Sequence, residues 1–116
     1  MQYVLLLYAS EAERRRAGDA EAAALQRDRR ALAAELASTG RHRSSHALEH
    51  TASATTVRLR CGRALLSDGP FAETREQLLG LLLIDARDLD EAIAIAARAP
   101  DAQSGSVEIR PVRESL

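Results

Sequence analysis

A chain of 116 residues, 46% hydrophobic but only 3% aromatic, can build one domain around an aliphatic core. A formal net charge of −1 leaves no electrostatic footprint for nucleic acid. No run approaches the ~20 apolar residues of a membrane helix. Cys61 is the single cysteine and has no internal partner, which fits a reducing compartment. The apolar opening is too short for a secretion signal and lacks a basic lead. The expected location is therefore cytoplasmic, and nothing in the sequence asks for a cofactor.

Tyr3–Tyr8 is an uninterrupted apolar run, too short for a helix, and reads as a strand buried on both faces. The charged stretch Glu11–Asp19 reads as a solvated loop or frayed helical lead-in. Asp19 can cap a helix starting near Ala20, with Ala22, Leu25, Leu32, Ala33 and Leu36 on one stripe and Gly40 at its end. Arg29 interrupts that stripe and is expected to lay its stem along the core's edge. A strand is expected near Arg43–Leu48. Thr55–Arg60 alternates, Cys61-Gly62 suits a two-residue turn, and Arg63–Ser67 returns as a hairpin partner. Gln77–Asp85 is a second strand apolar on both faces. Asp88 and Glu91 have capping-box spacing ahead of a helix whose expected stripe is Leu89, Ala92, Ile93, Ala96 and Ala97, closed by Pro100. Val107 and Ile109 then alternate with Glu108 and Arg110 in a final strand.

This order predicts an α+β, ferredoxin-like sandwich with an additional short hairpin strand. The two doubly apolar strands take its centre. Right-handed crossovers put both helices on one side of the sheet. About six large apolar side chains on the other side would then meet water, roughly 10 kcal/mol of unmet burial at ~1.5–3 kcal/mol each. That deficit predicts a homodimer.

The run Asp68-Gly69-Pro70-Phe71-Ala72-Glu73-Thr74-Arg75-Glu76 sets a turn beside carboxylates and a guanidinium. Asp68 can cap the turn through its own side chain, Gly69 tolerates positive φ, Pro70 fixes φ near −65°, and Phe71 can anchor the loop by burial. None of this needs catalysis. In the competing reading the turn aims Asp68 and Glu73 into one cleft for proton transfer, because desolvation and mutual repulsion favour a shared proton. Arg75 would bind an anionic group. Glu76 and Tyr8 are further candidates for binding the same molecule.

The run resembles the signature of the YCII-related proteins of the DGPF type, usually DGPF-A-E-T-K-E. The likeness extends to Tyr3–Tyr8, Ala54–Arg58, Leu83-Ile84-Asp85 and Gly105–Val112. The resemblance implies a dimeric α+β barrel with two sheets face to face, and a site at the DGPF loop. It also implies a regulatory alternative, since such relatives are commonly encoded beside extracytoplasmic-function sigma factors. Arg75 replaces the usual Lys, which rules out an amine base or Schiff base there. Leu81 and Leu82 stand where relatives often have aromatics. Enzymes of the wider superfamily are thought to use an early His with an Asp, and no His precedes His42 here.

His42, His46 and His50 could share a metal on a helix. On a strand, four residues span ~13 Å, too far for one ion, and the surrounding Gly and Ser favour the strand. No metal is therefore expected. Cys61 lies among Arg58, Arg60 and Arg63, a setting that can activate a thiol, although a cysteine in a turn is more often incidental. Glu108 and Arg110 suit either an ion pair at the dimer seam or the cleft.

Overall fold

A computed structural model describes residues 1–114. In a strand without polar interruption, side chains alternate between faces regardless of their type. Strand β1 (Gln2–Ala9) thus buries Tyr3, Leu5, Leu7 and Ala9 and leaves Val4, Leu6 and Tyr8 half-buried. Strand β5 (Gln77–Asp85) likewise buries Leu82 and Ile84 and leaves Leu81 and Leu83 half-buried. These two pair at the centre, with β2 (His42–Ala47) outside β5 and β6 (Ser106–Pro111) outside β1. Every neighbouring pair is antiparallel, giving the order β2-β5-β1-β6 expected of a ferredoxin-like α+β sheet. A register shift between Leu7 and Tyr8 marks a bulge near the end of β1.

The charged stretch after β1 is a true helix, α1 (Glu11–Ala17), because Ser10 Oγ accepts from the Glu13 amide at 3.2 Å. Gly18 separates it from α2 (Asp19–Ser38), so Asp19 lies in the first turn of the helix rather than capping it. The end of α2 follows the expected glycine rule: Gly40 has φ 72°, its amide donates to Ala37 at 3.1 Å, and that of Arg41 donates to Leu36 at 2.8 Å.

Helix α3 (Leu89–Arg98) is capped by Asp88, whose Oδ1 accepts from the Glu91 amide at 2.9 Å. Its buried stripe is Ala92, Ile95 and Ala96, whereas Leu89 and Ile93 are about half exposed. The expected Leu89–Ile93 stripe is therefore corrected. The Ala-rich segment satisfies two helical phases, and contact with the sheet selects the other one. Glu91 binds Arg41 through Nε at 3.0 Å and a terminal nitrogen at 3.2 Å, and this hydrogen-bonded pair holds the carboxyl down at about 2. A single turn, α4 (Asp101–Ser104), precedes β6.

Leu32 and Leu36 of α2 and the α3 stripe pack on Tyr3, Leu5, Leu7, Leu82 and Ile84, so both helices cover the same face. Strands β3 (Thr55–Arg60) and β4 (Arg63–Asp68) form a separate two-stranded sheet, turned through Cys61 at φ 52°. Register places Val57 with Leu66 and Leu59 with Ala64 on one of its faces. Nothing among the described residues covers that face: Val57, Leu59 and Leu66 are 63%, 66% and 69% exposed. The radius of gyration, 15.9 Å, exceeds the roughly 13 Å of a compact domain of this length because the hairpin stands away from the body.

Candidate functional site

The loop after β4 is anchored by its backbone. Gly69 has φ 90°, its amide donates to the Ala54 carbonyl at 2.7 Å, and its carbonyl accepts from Thr56 Oγ1 at 2.8 Å. A terminal nitrogen of Arg58 donates to the Phe71 carbonyl at 3.3 Å. Further along, Gln77 Nε2 donates to the Thr74 carbonyl at 2.6 Å while its Oε1 accepts from the Glu11 amide at 2.9 Å. Two expectations about this turn need correction. Asp68 makes no side-chain hydrogen bond among the described residues, and Thr56 does the bracing instead. Phe71 is 77% exposed rather than buried, because the hairpin carries the loop off the sheet and leaves no apolar surface beneath the ring.

Of the residues singled out for chemistry, two are linked through a third, Ser106. Tyr8 on β1 pairs in register with Ser106 on β6, and Ser106 Oγ donates to Glu76 Oε1 at 2.8 Å. Tyr8 and Glu76 are both half-buried at this corner of the uncovered face. Asp68, Glu73 and Arg75 are exposed, and none of the three has a side-chain hydrogen bond or ion pair among the described residues. The rest of the uncovered face follows from register. Val4 lies opposite Leu83 and Arg110, and Leu6 opposite Leu81 and Glu108, so an apolar stripe crosses the centre with charge at one margin. Glu108 and Arg110 are exposed and 3.6 Å apart.

The three histidines separate. His42 and His46 lie on β2, whereas His50 lies beyond it. His42 Nε2 contacts Ser45 Oγ at 3.2 Å, and His50 sits 3.5 Å from Glu11 Oε1 and 3.3 Å from an Arg15 nitrogen. Cys61 is exposed at the hairpin tip.

A second polar centre went unread in the sequence. Asp101, 1% exposed, receives Arg29 through Nε at 3.0 Å and through a terminal nitrogen, and Arg14 lies 3.5 Å away. Arg29 does lay its stem along the core edge, but its head is committed to this carboxylate. Nothing near Asp101 in sequence announces that role: directly after Pro100 it looks like an ordinary turn residue. Arg29 and Asp101 border a cavity of about 180 Å³ between α2 and the sheet. Arg14 and Arg29 border an adjoining surface groove of about 710 Å³ below α1.

Comparison with known proteins gives one consistent answer. A family model described as "YCII-related domain" matches residues 1–115. An uncharacterized protein of Rhizobium meliloti (strain 1021) is 37% identical over 114 residues, covering 97% of this chain and 92% of that one.

Proposed function

This chain belongs to the YCII-related domain family, and we propose that it acts as a homodimer binding a small molecule between the uncovered sheet faces of its two copies. One observation carries the reading: the face without helices has an apolar centre, Val4, Leu6, Leu81 and Leu83, and a polar corner where Tyr8, Ser106 and Glu76 meet. An apolar centre with a polar margin is the build of a protein interface, and the corner supplies a few convergent polar groups of the kind that orient a ligand.

Within that cleft, Glu76 and Tyr8 bind the ligand's polar part. Asp68 and Glu73 of the loop supply carboxylates for a proton-transfer or lyase-type step, and Arg75 holds an anionic group. Side chains that face water in one copy acquire a dry neighbourhood once a second copy closes over them, and carboxylates beside one another in such a place hold and move protons.

Light scattering across a concentration series tests the assembly, with a dimer expected for the wild type and a monomer for Leu6→Glu. A thermal-shift screen against a metabolite library tests the site. A compound that stabilises the wild type should lose its effect with Glu76→Gln or Asp68→Asn, while the unliganded variants melt close to the wild type. A monomeric wild type, or a ligand indifferent to both substitutions, would overturn the reading.

A further inference from the structure

The covered side of the sheet is not filled either. Only Leu32 and Leu36 of the twenty residues of α2 are buried, so the amino-terminal half of that helix stands off the strands. Below it, Gly80 occupies a helix-facing position between Leu7 on β1 and Ala47 on β2, where no large side chain rises from the sheet. A Cβ at Gly80 would lie 2.9 Å from the His46 carbonyl oxygen and 3.6 Å from Leu7 Cδ1. The space so left is the cavity of about 180 Å³, with Leu7, Leu32, Ala33 and Leu82 among its apolar walls.

Polar side chains edge the same cavity. Arg30 is exposed and, like Gln26, has no side-chain partner among the described residues, whereas His46 meets the cavity only through its backbone, its side chain sharing the uncovered face with Leu81. Arg29 and Arg14 share the one carboxylate of Asp101, so that cluster keeps a net positive charge. The adjoining groove also contains Gln26, Arg29 and Ala47, which gives the cavity a route to solvent and room for a longer polar group.

We propose that this cavity is a second ligand site, specific for a small amphipathic carboxylate whose apolar group enters between α2 and the sheet while its acid pairs with Arg30 beside Arg29. An apolar cavity of roughly 150 Å³ accepts a benzene-sized guest, so a single ring matches the volume. A guanidinium matches a carboxylate in charge and in planar geometry. The site lies on the opposite side of the sheet from the dimer cleft and does not depend on it.

Benzoate and benzylamine, alike in shape and opposite in charge, separate this proposal from non-specific burial. Calorimetry on the full chain should show benzoate binding and no heat of binding for benzylamine. Arg30→Gln should weaken benzoate at least about tenfold, the lower end of the scale for losing a hydrogen bond to a charged group. Filling the space with Ala33→Leu should abolish binding. Nuclear Overhauser contacts from benzoate ring protons to the Leu7 and Leu32 methyls locate the guest in the wild type and need no variant to fold. Leu6→Glu should leave benzoate affinity unchanged, which keeps this site distinguishable from the cleft. Equal binding of the two probes, the absence of those contacts, or undiminished binding by Ala33→Leu would overturn the proposal.

Discussion

The two faces of the central sheet are made by the same strands and differ in what lies over them. On the covered face Leu5 and Ile84 are 0% exposed, under α2 and α3. On the other, Val4, Leu6, Leu81 and Leu83 reach only half-burial, by leaning on one another. Period-two alternation makes two apolar faces, and two helices are enough for one. The deficit is nevertheless smaller than sequence bookkeeping suggests. These side chains keep no more than about a third of their surface in water, so each has at most about a third of ~1.5–3 kcal/mol still to gain. The hairpin and the loop after it are barer: Val57, Leu59, Leu66 and Phe71 are each more than 60% exposed. Two-stranded hairpins are marginal alone in water. In the proposed dimer, much of the apolar surface open to a second copy therefore sits on the hairpin, outside the sheet.

Truncating matched residues on the two faces tests this contrast most strongly. Leu5→Ala should cost about 2–5 kcal/mol, since the space it leaves under the helices cannot collapse. The loss should be independent of protein concentration in urea denaturation. Leu6→Ala should cost clearly less, and its cost should appear mainly as a weaker dimer, greatest in dilute samples. Equal, concentration-independent losses would mean that the uncovered face is stabilised within one copy.

Gly105→Ala sharpens the comparison at the sheet edge. A Cβ there would lie 2.0 Å from the Tyr8 carbonyl oxygen, so β6 has to move away from β1. The expected loss is about 1–3 kcal/mol. Amide exchange should quicken along β6 and at Tyr8, next to the Ser106–Glu76 contact, more than in β2 on the far edge.

The central strands were legible from their apolar runs, and both long helices from the residues that end them, Gly40 and Pro100, and the Asp88–Glu91 cap, while the antiparallel order followed from the sequence of elements. Three features were not. The α3 stripe was ambiguous because alanines fit either phase. The burial of Phe71 was misjudged because it depends on whether the hairpin lies on the sheet or leaves it, and alternation within β3 and β4 is identical in both cases. Asp101 was invisible because its partners Arg14 and Arg29 are 87 and 72 residues away, and no short-range pattern encodes such a pairing. The site residues divide the same way. Tyr8 lies opposite Ser106 by strand register, which alternation along the strands implies, while the Ser106–Glu76 contact and the aim of Asp68, Glu73 and Arg75 depend on the loop's path and on what closes over it.

Acid titration gives the smallest effect and compares ion pairs on the two sides. Glu91 lies on the helix side, held by Arg41, and its carboxyl is lowered from 4.5 to about 2. A depressed carboxylate contributes stability that is fully present above its unfolded value and is lost as pH falls toward the folded one. Replacing Glu91 by Gln should therefore destabilise the protein at neutral pH and flatten its stability profile between about pH 5 and pH 2. Asp85 shares its register with the uncovered-face positions, and its partner Arg43 is 53% exposed. Asp85→Asn should change stability little at neutral pH, and that little should fade with added salt, as expected of a solvent-screened pair. If Asp85→Asn instead matched Glu91→Gln in the urea midpoint at neutral pH, its pair would be shielded from water. A second copy lying over that edge of the sheet is the simplest way to shield it.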